Sequence, residues 1–146
     1  MTKKLISLDA YQNFVGDTTS IYSSNPEEFV NKVNELERKL PDDNVNGTGV
    51  DLNRLLTAAI GICAEGGEFA EIVKKISFQG KPYNEANREH MIVELGDVMW
   101  YIAQGCIALG VDFNEILERN VTKLTSRYPE GTFDVYYSEN RKEGDI

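Results

Sequence analysis

Two acidic pairs share one spacing in this sequence: Glu65 and Glu68 in AEGGEFAE, and Glu94 and Asp97 in VELGDVMW. Residues three apart on a helix lie on neighbouring parts of one face, so each pair turns two carboxylates to the same side. Glu71 carries the first series one step further. Four carboxylates gathered at one point repel each other and resist desolvation unless a cation neutralises them. All-oxygen, anionic ligation suits a hard ion, Mg²⁺ or Mn²⁺, rather than zinc. A lone E-x-x-E is usually a solvated helix face; a second acidic pair inside an otherwise apolar helix is not. The chain holds one histidine, His90, which excludes the paired E-x-x-H motifs of a di-iron bundle. His90 is expected at the rim of the acidic site rather than as a ligand.

A basic complement lies further along, in RNVTKLTSRYP. Asn120, Lys123 and Arg127 fall within an arc of about 60° on a helical wheel, beside the apolar Leu117, Val121 and Leu124. Alone, this is a solvated basic face. Beside an acidic metal site, a lysine and an arginine are the means by which proteins clamp a polyphosphate.

The elements that must position these groups are helical. Ser7 caps a first helix carrying Leu8, Tyr11, Phe14 and Val15. Asn25-Pro26 opens a second, striped by Phe29, Val33, Leu36 and Leu40. PDDNVNGTG (41–49) has a loop composition. A long helix is expected from about Asp51 to Ile76, then a break at SFQGKP (77–82). A second long helix spans about Asn84 to Leu109 and ends at Gly110. Asp112 and Glu115 form a D-x-x-E capping box for a last helix to about Arg127, stopped by Pro129. The tail FDVYYSENRKEGDI is half aromatic and half charged. Two long helices joined by a short loop predict an antiparallel pair at the centre of an all-α bundle. Ala59, Cys63, Gly66 and Ala70 form a strip of small side chains along which another helix is expected to approach closely.

A length of 146 residues is one domain's worth, and 41% hydrophobic content suffices for a core. Fifteen basic against 24 acidic residues give a net charge of −9, which opposes binding to a nucleic-acid polymer. A small phosphate ligand is still admitted, because a bound metal brings positive charge. Cys63 and Cys106 match no metal motif and make no disulfide framework; buried free thiols are expected. The start, MTKKLISLDAYQ, lacks the apolar core of a signal peptide. The most hydrophobic run, Val98 to Leu109, is too short to span a bilayer. The expectation is a cytoplasmic protein with no membrane partner.

E-x-x-E followed, after a gap, by E-x-x-D resembles the pattern of the all-α nucleoside triphosphate pyrophosphohydrolases. The wording AEGGEFAEIVKK, ELGDVMWYIA and NVTKLTSRYPEGTF resembles their MazG-like branch, over roughly Leu55 to Phe133. The resemblance implies a four-helix-core bundle assembled as a homodimer or homotetramer. It implies Mg²⁺-dependent hydrolysis of nucleoside triphosphates between the α and β phosphates, giving a monophosphate and pyrophosphate. Glu65, Glu68, Glu94 and Asp97 match the family's metal ligands, and Lys123 and Arg127 its basic pair, with Asn120 one turn earlier. Tyr101 corresponds to a position that lines the base or sugar pocket in some relatives. The gap between Glu68 and Glu94 is towards the family's long end, so the SFQGKP loop is larger than in compact members.

On this resemblance residues 1–50 are helices and a loop packing on the core, 51–133 the catalytic core and 134–146 a tail, within a single domain. Lys74, Lys75 and Lys81 are candidate phosphate contacts that the sequence does not rank; Lys75 is carried into the substrate-binding set. Removing a proton from the attacking water needs a carboxylate. Glu71 is the first choice, in a catalytic set with Glu65 and Glu68, and any of the four ligands can share that role. The competing expectation is a non-catalytic helical oligomer that binds a nucleotide or metal in a regulatory role. Phosphoribosyl-ATP pyrophosphatases share the architecture and stand as a minor alternative.

Overall fold

The computed structural model describes residues 7–38 and 51–141, with side chains at 7–36 and 51–141. The expected loop at 41–49 lies outside them. All seven described elements are helices, and no strand occurs among the described residues. The chain divides into two compact units, Met1–Leu52 and Asn53–Ile146.

In the first unit, α1 (Leu8–Thr18) begins where the Ser7 side chain accepts from the Ala10 amide. It ends where the Thr18 and Thr19 hydroxyls donate to carbonyls of the last turn. A one-turn helix α2 (Ile21–Ser24), capped by Ser20, was not expected. Asn25 then accepts from the amides of Glu27 and Glu28, and Pro26, which has no amide to satisfy, starts α3 (Pro26–Arg38).

The second unit holds α4 (Leu52–Phe78), α5 (Glu85–Leu109), α6 (Phe113–Arg127) and a short α7 (Val135–Glu139). Asn84 caps α5, accepting from the Asn87 amide. Gly110 closes it in the left-handed conformation (φ 66°), where its amide and that of Val111 return to carbonyls of the last turn. Asp112 caps α6 through the Glu115 amide at 2.9 Å. Asp134 caps α7, a helix inside the tail that the sequence did not signal.

Three contacts fix the register of α4 against α5. Arg54 donates to Gln104 at 2.6 Å. A Cβ on Gly105 would sit 3.5 Å from that of Ala58. The Tyr101 ring lies on Gly61, where a Cβ would come within 2.1 Å of it. From Ala58 with Gly105 to Gly61 with Tyr101, positions rising along α4 meet positions falling along α5, so the pair is antiparallel as expected. The close approach runs through Ala58 and Gly61, however, and not through the predicted strip. Gly66 faces no atom within 4 Å of an added Cβ, and Cys63 is exposed rather than buried. Both helices are apolar on more than one side, so wheel geometry alone does not single out the seam. The large Tyr101 ring settles where no Cβ stands in its way. Ala58, Ile72, Cys106 and the carboxylate residue Glu94 are the buried side chains of α4 and α5 among the described residues.

The apolar run after Val98 is the second half of α5, whose bounds agree with the helix expected there. By length and composition α5 could cross a membrane, with mean hydropathy 1.3 over its most apolar 18 residues. Its middle instead carries Glu94 and Asp97, of which Glu94 is buried beside the carboxylates of α4.

Candidate metal centre

The antiparallel register carries the two acidic pairs to one place. Continuing from Gly61 and Tyr101, one to two further turns of α4 bring Glu65 and Glu68 to Glu94, two turns back along α5. One carboxylate oxygen each from Glu65, Glu68 and Glu94 lies within 4.8 Å of the other two. Glu94 is only 5% exposed, an expensive position for a carboxylate unless it is partnered. His90, one turn earlier on α5, places Nε2 2.8 Å from Glu94 Oε1. The histidine is half exposed, at the rim as expected, and touches a candidate ligand.

Glu65 shows the electrostatic cost of the arrangement. Its pKa is raised above 4.5, first by burial, then by the charges of Glu68, Asp97 and Glu94, and by a hydrogen bond shared with Glu94. Without a cation, these surroundings favour a proton on Glu65. A divalent ion would replace that proton, as metal binding to carboxylates generally does. Asp97 is exposed and acts on Glu65 through its charge, so all four predicted ligands share one electrostatic site. The donor set is oxygen only, which fits a hard cation.

One turn on, Glu71 has different surroundings. Lys74 Nζ pairs with Oε2, and Lys75 Nζ lies 3.2 Å from Oε1. These two hydrogen bonds, Lys74 first, lower its pKa below 4.5. A carboxylate held by two ammonium groups is a weak proton acceptor.

Glu68 and Glu71 also line a cleft of about 380 Å³, with Lys75, Lys81 and His90 supplying basic groups and Ala64, Gly67 and Ile72 the apolar wall. Gly67 would meet no neighbour if given a Cβ, so its small size leaves open space over the helix at the cleft. Lys81 reaches this place through the turn after α4, a role that no periodic pattern could announce.

The remaining predicted residues are placed as follows. Tyr101 is half-buried on Gly61 and packs edge-to-face against Trp100 with ring centres 4.9 Å apart. Asn120 and Lys123 are exposed on α6, and neither hydrogen-bonds or ion-pairs with the cluster among the described residues. Arg127 is half-buried in the last turn of α6. The apolar side chains beside this arc on α6 are themselves exposed in the single chain, with Val121 at 62%.

Residues 54–132, just over half of the chain, match the family described as the MazG nucleotide pyrophosphohydrolase domain. The "Gene 37 protein" of Mycobacterium phage L5 is 41% identical over 73 residues, which cover 49% of this chain and 64% of that protein. The chain thus spans less than two thirds of this relative's length, and the relative's name states no activity. No solved structure matches the chain significantly.

Proposed function

The chain belongs to the MazG nucleotide pyrophosphohydrolase domain family, and we propose that it hydrolyses nucleoside triphosphates between the α and β phosphates, in a Mg²⁺-dependent reaction that gives a nucleoside monophosphate and pyrophosphate. The observation that carries this reading is the convergence of Glu65, Glu68 and Glu94 within 4.8 Å, beside a cleft that also holds lysines. A carboxylate cluster alone serves many purposes; one that opens onto basic side chains suits a ligand that is both metal-bound and anionic.

Glu65, Glu68, Glu94 and Asp97 would hold the ion, Mg²⁺ or Mn²⁺ in its place, which when bound neutralises charge on the phosphate oxygens. His90 orients Glu94 through the 2.8 Å contact. The role of base falls to Glu65 or Glu68 rather than Glu71, because Lys74 and Lys75 lower the basicity of Glu71. Glu71 instead keeps Lys75 at the cleft wall. Lys75, Asn120, Lys123 and Arg127 are assigned to the phosphates, and Tyr101 to the base or sugar.

The protein is further proposed to be a cytoplasmic homodimer or homotetramer. Support comes from α5, whose face opposite Glu94 and Tyr101 exposes Ile92, Met99, Trp100 and Ile107. Contiguous apolar surface of this kind marks an interaction site.

The test is a panel of ribo- and deoxyribonucleoside triphosphates with Mg²⁺, run on the wild type and on Glu68→Ala and Asp97→Ala. Turnover in the wild type, absent in both variants while their helix content persists, is the expected result. Nucleotide binding without turnover would instead favour the non-catalytic oligomer, and full activity in either variant would remove that residue from the site.

A further inference from the structure

We propose that Lys81 is the residue that grips the terminal phosphates of the substrate, so that the turn after α4 makes the site selective for a triphosphate tail over shorter ones. This deepens the reading above and rests on it.

The turn is built to aim this one side chain. Gly80 takes a left-handed backbone (φ 72°), which a side chain there would disfavour. The reversal lets the Lys81 amide donate at 3.1 Å to the Lys75 carbonyl, which also accepts from Gln79 at 3.0 Å. Beyond it, Asn87 on α5 donates through Nδ2 to the Pro82 carbonyl at 2.6 Å. The chain is therefore tied to a helix on either side of Lys81. The side chain is half-buried and lines the same cleft as Glu68, Glu71 and Lys75.

Charge distinguishes Lys81 from its neighbours. Lys74 and Lys75 share the two oxygens of Glu71. That group carries one positive charge more than it cancels. Lys81 has no carboxylate partner among the described residues and adds a second. The cleft is thus acidic where Glu68 meets the cluster and basic at its other end. A half-buried ammonium without an acid partner is a site for an anion.

Spacing selects the anion. Lys75 lies seven residues past Glu68, about 10 Å along the helix at 1.5 Å per residue, and the reversal returns Lys81 to the level of Lys75. A phosphate held at the cluster leaves this gap to be spanned by the rest of the tail and by the lysine stem. A monophosphate is too short to reach both ends.

Calorimetric titration with tripolyphosphate and with orthophosphate, each with Mg²⁺, tests the assignment on wild type, Lys81→Ala and Lys81→Arg. Lys81→Ala should bind tripolyphosphate about tenfold or more weakly, as expected for a lost hydrogen bond to a charged group. Its orthophosphate binding should be unchanged, and Lys81→Arg should retain most of the affinity. Lys81→Met, which keeps the apolar stem, serves if the alanine variant unfolds. Equal tripolyphosphate affinity in wild type and Lys81→Ala, or an equal loss for both anions, overturns the proposal. If the wild type cleaves triphosphates, the ratio of kcat/KM for tri- over diphosphate should fall in Lys81→Ala; an unchanged ratio counts against it. A wild type with no turnover would refute the hydrolase reading, while the tripolyphosphate affinities would still judge Lys81.

Discussion

Glu65 is the residue whose environment makes the most direct claim on measurement. Burial and the charges of Glu68, Asp97 and Glu94 raise its pKa above 4.5, so the folded protein binds this proton more tightly than the unfolded chain does. Stability from that proton is present below pH 4.5 and is lost as pH rises through the folded-state value. The metal-free protein should therefore melt at lower temperature as pH is raised from 4.5. Glu65→Gln should flatten that dependence, and Mg²⁺ should reverse it in the wild type but not in the variant. Thermal scans with and without chelator provide the check, and a wild-type profile identical to that of Glu65→Gln would contradict the account. The clustering of Glu65, Glu68 and Glu94 was legible from spacing, because carboxylates three apart share a helix face. The differing states of Glu65 and Glu71 were not: the K-K that follows Glu71 was visible, but which ammonium chose which carboxylate depends on side-chain conformation.

At the scale of the element, the helix ends were the most legible part of the fold. Ser7, Asn25, Asn84 and Asp112 each cap a helix through a side chain, and Gly110 ends one through its backbone. These signals are local and need no knowledge of packing. The seam between α4 and α5 was misplaced because it depends on which of several apolar faces meets a partner. The corrected seam predicts opposite effects for two glycines. Gly61→Ala drives a Cβ to 2.1 Å from the Tyr101 ring, so the ring or the helix must shift, at a cost of about 1–3 kcal/mol. Gly67→Ala meets nothing within 4 Å and should gain about 0.5–1 kcal/mol from better helix propensity. Urea unfolding of the two variants decides it; destabilisation of similar size in both would show that the seam is elsewhere.

The described residues of the single chain leave many large apolar side chains exposed. Trp100 is 55% exposed and Ile107 61%, on a helix whose other side is occupied by the acidic cluster and Tyr101. A solution mass at a multiple of 16.4 kDa is expected by light scattering, with Trp100→Glu shifting it towards the single chain. A wild-type mass of one chain would leave the α5 face unexplained by self-association. A net charge of −9 opposes a polyanion partner, and the basic groups lining the cleft are few, Lys75, Lys81 and His90. The central claim is that this cleft and its carboxylates break the bond between the α and β phosphates. Phosphorus NMR of a nucleoside triphosphate incubated with the protein and Mg²⁺ reads the products directly. Pyrophosphate and nucleoside monophosphate appearing in equal amounts are the predicted result; orthophosphate and a nucleoside diphosphate as first products would contradict it.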